Sequence, residues 1–194
     1  MTIEQIDTVP SDVFTQEIWQ PLIDFFWERY NKRYFDQIEV LQNHPDYNIR
    51  NNCGFLIASI DCILIETLEQ YYSGKDESDG NKLHDPFYKF FSRVDAFKNV
   101  IKENGDAGRF AGLIRSGLLH QSKTKKASII NRKSKTPVLD WIDEKDKNKG
   151  FKLNRDKFHK IVFNQYQKLI DNIKKPENSD LRKKFKSKLR TLIE

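Results

Sequence analysis

Residues 52–72 read NCGFLIASIDCILIETLEQYY, and this stretch decides the class of fold. Its apolar residues fall on most of the circumference of an α-helix, the distribution of a helix buried on nearly every side. Such a helix needs amphipathic neighbours around it, so the expected fold is mainly all-α, a helical bundle. The helix should open near Asn51 or Asn52 and leave at Ser73-Gly74, since glycine readily takes the left-handed conformation that ends a helix. Asp61 falls near Ile57, Ile65 and Leu68 by angle. A carboxylate buried there needs a partner, which Arg115 or a lysine could supply. The most apolar run, from Phe55 to Leu68, is interrupted by Asp61 and Glu66 and is too short to span a bilayer.

Working outward, Thr15 caps a first long helix that runs to Gln42, with Pro21 dividing a short turn from its main part. His44-Pro45-Asp46 stops it. Downstream, residues 74–84 form a polar, glycine-containing loop. Asp85-Pro86 then starts a third helix that runs to Lys102. Asn104-Gly105 closes it, and Asp106 caps a fourth helix ending near Gln121. Ala127–Ile130 and Val138–Ile142 are short β-prone pieces that predict a small hairpin, to which Phe151–Leu153 adds an extended segment. Asn154 caps a helix reaching Lys174. Ser179 opens a last, basic amphipathic helix carrying Leu181, Phe185, Leu189 and Leu192. The organisation expected is a helical domain over residues 1–175 with a hairpin-like insertion at 123–153. The basic helix of residues 176–194 is packed on that domain or appended to it.

A chain of 194 residues with 14 Phe, 7 Tyr and 3 Trp holds enough apolar material for one real core. Cys53 and Cys62 share one helix about 13 Å apart along its axis, too far to bridge, and two unpaired thiols fit a reducing cytosol. Met1–Ser11 has neither the basic nor the apolar region of a signal peptide, so the expected location is cytoplasmic, with no membrane partner. Charge is segregated along the sequence: residues 1–120 carry 12 Lys/Arg against 19 Asp/Glu, and residues 121–194 carry 22 against 9. A polyanionic partner follows from this, the alternative being a solvated lysine-rich surface.

The fourth helix divides into two faces. Phe110, Leu113, Ile114, Gly117 and Leu118 form a core stripe, and Gly108, Gly112 and Ser116 a ridge of small residues on the other side. Glycine costs about 1 kcal/mol in a helix interior, so the ridge predicts a close neighbour. That neighbour is either a helix of the same chain or the same helix of a second subunit. Beside the ridge stands Arg115-Ser116-Gly117-Leu118-Leu119-His120, an Arg-x4-His arrangement.

This arrangement resembles the motif of HEPN domains, a helical RNA-cleaving family, in the spelling found among its prokaryotic defence-linked members. Glu28-Arg29-Tyr30-Asn31-Lys32-Arg33 is similar to a second motif, Glu-x3-Lys-Arg, of some HEPN families. The resemblance implies a homodimer whose two motifs face one cleft, paired through the helix of Gly108, Gly112 and Ser116. It also implies a metal-independent endoribonuclease, with a role in defence or as a toxin under a cognate regulatory protein. Arg115 would hold the phosphate, His120 would move protons, and Ser116 would orient one of them. Glu28, Lys32 and Arg33 would support the cleft, and Asp61 either joins them by orienting a catalytic group or is simply a buried carboxylate satisfied by its partner. Two departures stand out: Ser116 is shorter than the polar residue usual after the arginine, and Ser122 replaces a tyrosine found in one toxin subgroup.

Each of these residues also has a plainer role open to it. Glu28 and Lys32 are helix neighbours four apart and suit an exposed ion pair. His120 suits the free carbonyls of a helix end. Lys123, Lys125 and Lys126 follow the motif and are expected to hold RNA, as is the basic tail, whose apolar face could equally pack inward and leave its lysines in water. His44, His84 and His159 lie scattered without ligand spacing, so neither metal nor cofactor is expected. A non-catalytic dimeric module that binds nucleic acid or a partner protein is the alternative function.

Overall fold

The computed structural model describes residues 1–75 and 84–193. It is mainly helical with one small sheet, as the sequence predicts. The central helix is α5 (Gly54–Ser73), preceded by a single short helix, α4 (Tyr47–Asn52). Ile57, Ala58, Cys62, Leu64, Ile65 and Leu68 are buried, and Gly74 ends the helix at φ 70°. Around α5 pack α6 (Asp85–Arg93), α9 (Arg155–Ile173) and α10 (Ser179–Arg190). Tyr71 and Phe26 meet edge to face at 5.0 Å, and Phe185 of α10 lies 5.2 Å from both rings. The terminal helix is therefore part of the core. A short helix not foreseen from the sequence, α1 (Ile3–Asp7), is capped by Thr2 and packs on α10.

The first long helix starts where Thr15 places it. The Thr15 hydroxyl accepts the Ile18 N–H at 3.4 Å. Pro21 lies inside α2 (Gln16–Tyr30) without dividing it. What interrupts the helix is a wide, π-type turn over Asn31–Phe35, after which α3 (Asp36–Gln42) continues. The helix of the Arg-x4-His motif has the same construction: α7 (Asn104–Phe110), a wide turn over Ala111–Arg115, then α8 (Ser116–Gln121). Each wide turn inserts one residue into the helical count.

Three expectations are corrected. The third helix ends at Arg93, not Lys102, because Val94 is extended and a single 3-10 turn (Asp95–Phe97) follows. Asn104 and Gly105 open α7 instead of closing the helix before it. Asp106 is its third residue, and its carboxylate reaches back to accept the Lys102 N–H at 3.1 Å. The predicted pairing of the two β-prone pieces also fails. β1 (Ile129–Asn131) and β2 (Leu139–Trp141) each pair with β3 (Phe151–Asn154), giving the order β1-β3-β2. The hairpin is β2 with β3, and β1 runs parallel to β3. Phe151 and Leu153 are fully buried, and Phe151 stacks on Trp141 at 4.1 Å, so the segment with most to bury takes the centre. Of the loop expected over 74–84, residues 76–83 lie outside the described residues.

Candidate functional site

Arg115 is the last residue of the wide turn and points toward α5. Its Nε and Nη2 donate to the two carboxylate oxygens of Glu66, at 2.8 and 3.1 Å. Both side chains are mostly buried, at 14% and 13% exposure, which makes this a bidentate, charge-assisted clamp of the stronger kind. These hydrogen bonds hold the guanidinium pKa above its already high ordinary value. The clamp occupies one edge of the guanidinium and leaves Nη1, which lies 3.5 Å from Nε2 of exposed His120. The two motif residues are thus adjacent at the end of one helix, with the arginine fixed and the imidazole reaching solvent. A planar cation with a free edge and a neighbouring proton carrier can bind an anionic oxygen and exchange a proton beside it.

The remaining candidates divide. Ser116 is half-buried and, among the described residues, makes no side-chain hydrogen bond to Arg115 or His120; the side chain that holds Arg115 is Glu66. Asp61 is buried as expected, but its partner is neither Arg115 nor a lysine. It is His159 of α9, whose Nδ1 lies 2.7 Å from Asp61 Oδ1. Among the described residues Asp61 Oδ2 is buried without a hydrogen bond, and burial pushes this carboxyl up. Glu28 and Lys32 pair with each other on an exposed face. Arg33 is exposed in the same wide turn, and among the described residues no hydrogen bond or ion pair joins these three to Arg115 or His120.

The turn after α8 is held tightly. Lys123 N–H donates to Gly117 O at 3.3 Å and Lys125 N–H to Leu113 O at 2.9 Å, while Ser122 and Lys126 take positive φ. Lys123 and Lys126 are exposed there and Lys125 is half-buried. The basic tail spends much of its charge internally. Arg182 is buried, Lys186 donates to the Val9 and Asp7 carbonyls, and Arg190 pairs with Asp7.

The small-residue ridge is partly open. Among the described residues, an added Cβ would meet nothing within 4 Å at Gly112 and, at Gly108, only His84, at 3.9 Å. The wide turn between Gly108 and Ser116 inserts a residue, so the ridge is skewed from the straight i, i+4, i+8 line that regular geometry predicts. On α5, Leu56 and Ile63 are exposed, at 53% and 41%, on the side of the helix that carries Glu66. Both cysteines are free and buried.

Glu66 is the residue that sequence reasoning missed. A charge inside the most apolar run was its signal, but nothing local gives a partner 49 residues away. Among the described residues, no helix is long and apolar enough to cross a membrane, and no group of three or more His, Cys, Asp or Glu could hold a metal ion. Compared with known proteins, the chain matches no family model, no curated protein and no solved structure.

Proposed function

We propose that this protein is a metal-independent endoribonuclease of HEPN type that works as a homodimer. The observation that carries the reading is the Arg115–His120 pair at 3.5 Å, with Glu66 holding the arginine from behind. In this reaction the substrate brings its own nucleophile, the ribose 2′-OH. As it attacks the adjacent phosphorus, an imidazole accepts its proton, and an imidazolium returns a proton to the departing 5′-oxygen. The products are a 2′,3′-cyclic phosphate and a 5′-hydroxyl. The free Nη1 edge of Arg115 stabilises charge on the non-bridging oxygens, and His120 of one or both subunits moves the protons.

The open surface at Gly112 and the exposed Leu56 and Ile63 beside Glu66 support pairing at this end of the molecule. Lys123, Lys125 and Lys126, next to the pair, extend its positive charge toward the strand. A cytoplasmic role in defence or as a regulated toxin belongs to the same proposal. The test is cleavage of a mixed-sequence RNA in EDTA by the native protein, Arg115→Ala and His120→Ala, with dimer mass and fold verified for each. Loss of cleavage in both variants is expected. If neither the native protein nor the variants cut, or all cut alike, the protein is instead a dimeric binding module.

A further inference from the structure

Away from Arg115, the start of α5 faces a cleft of about 620 Å³, walled on the other side by β1 and the segment after it. That volume lies within the range of small-ligand sites. Its charged lining residues are all cationic: Arg132, Lys133 and, at its floor, Arg155. Arg155 is buried and is already spent on the Arg50 and Asn51 carbonyls. Arg132 lines the cleft while its Nε pairs with Asp156 and its Nη1 donates to the Arg50 carbonyl, which leaves Nη2 without a hydrogen bond among the described residues. Lys133 is exposed, with no ion-pair partner among the described residues. One carboxylate, Asp156, lies behind these cations and offsets part of their charge.

Two aromatic rings stand at the same cleft. Tyr47 is 64% exposed and Phe55 42%, although large rings are normally buried. The Tyr47 ring is held in place, since its Oη accepts from Asn51 Nδ2 at 3.0 Å. Asn51 Oδ1 and the whole Asn52 amide make no hydrogen bond among the described residues, so donors and acceptors remain beside the rings. Exposed rings, open amide edges and a pair of cations, Arg132 partly held and Lys133 exposed, match the three parts of one ligand class: a flat heteroaromatic base, its polar edge and a phosphate.

We infer that this cleft binds a nucleotide, with the base against Tyr47 and Phe55, its edge at Asn51 and Asn52, and the phosphate at Arg132 and Lys133. The nucleotide is either free or an unpaired residue of an RNA strand. In the second case Glu66 lies eleven residues beyond Phe55 on α5, about 17 Å along the helix axis. A bound strand would then reach the Arg115–His120 pair within a few nucleotides. Binding here stands whether or not that pair cleaves.

The experiment measures binding of two probes to the full chain: a short fluorescein-labelled 2′-O-methyl RNA of mixed sequence, which resists 2′-OH attack, and AMP. Both are titrated at several salt concentrations into the native protein, Tyr47→Ala and the double variant Arg132→Ala/Lys133→Ala. Thermal unfolding checks each variant, and Tyr47→Ala removes an exposed ring whose one side-chain hydrogen bond is from Asn51, so it guards against a folding defect at Arg132. Tyr47→Ala should weaken binding roughly tenfold, the order that loss of one base–aromatic stack implies. The double variant should lower the slope of log affinity against log salt by about 1.4, for two lost single-strand phosphate contacts. Losses seen with AMP identify a free nucleotide as the ligand, and losses with the RNA alone identify a strand. The inference is overturned if neither probe binds at low salt, or if Tyr47→Ala leaves affinity unchanged. An effect of the cation variant without one from Tyr47→Ala also overturns it, because the cleft would then be a general polyanion surface.

Discussion

Glu66 takes two nitrogens of Arg115 and leaves the third beside His120, so its charge matters to a group it never hands to substrate. Glu66→Gln keeps the size but weakens the clamp. Under the ribonuclease reading, kcat for RNA cleavage should fall at least tenfold, by about 1.4 kcal/mol, with KM little changed, and the weakened buried clamp should also lower stability by about 1–3 kcal/mol, so kcat is compared where both proteins are folded. A loss confined to KM would remove Glu66 from the positioning role. Asp61 gives a prediction of pH dependence. Burial raises its carboxyl, with the His159 hydrogen bond pulling the other way. For an acid raised on folding, the associated stability is complete below the unfolded pKa and is lost as pH rises through the folded one. Asp61→Asn does not titrate, so its stability relative to the native chain should climb from acid toward neutral pH. Urea unfolding across that range checks this, and a flat difference would sink it. The Arg115–His120 pair was legible because both partners lie within one helical turn and a half. Glu66 and His159 were not, since long-range pairing sets them 49 and 98 residues from their partners.

At the scale of elements, capping chemistry was readable at Thr15, Asn154 and Gly74, where one residue satisfies backbone groups close to it in sequence. The two wide turns and the strand order were not. A wide turn is a one-residue excess in helical count that tertiary packing selects, and strand order depends on which segment buries most. Two glycines in the motif helix make opposite predictions. An added Cβ at Gly117 would lie 2.5 Å from the Lys123 carbonyl oxygen, a backbone atom with nowhere to move. Gly117→Ala should therefore destabilise by about 1–3 kcal/mol despite alanine's better helix propensity. Gly112→Ala meets nothing among the described residues and should stabilise an isolated subunit by up to about 1 kcal/mol. If a second subunit packs closely there, the same change should weaken the dimer. Urea unfolding and sedimentation at several protein concentrations separate the two effects.

For the whole molecule, the bundle was legible in residues 52–72 because a helix apolar on most of its surface must be surrounded. The exposure of Leu56 and Ile63 on that same helix was not. Under the homodimer proposal, Ile63→Asp should give a monomer with a Tm within a few degrees of native and little RNA cleavage, and an unchanged mass would count against pairing through α5. The remaining feature is the buried guanidinium of Arg182. It donates to the carbonyls of Ser11 and Asp12 on one side and of Ile173, Lys175 and Pro176 on the other. Arg182→Ala should cost about 3 kcal/mol, since it strands several buried acceptors at once. In mechanical terms this arginine is a bolt through two plates. Tension applied to the segment around Ser11 or to α10 loads the same set of hydrogen bonds, and then Phe185 in its socket of Trp19, Phe26 and Tyr71. Under a pulling force, α1 and α10 should come away together in one step, and Arg182→Ala should split that step in two.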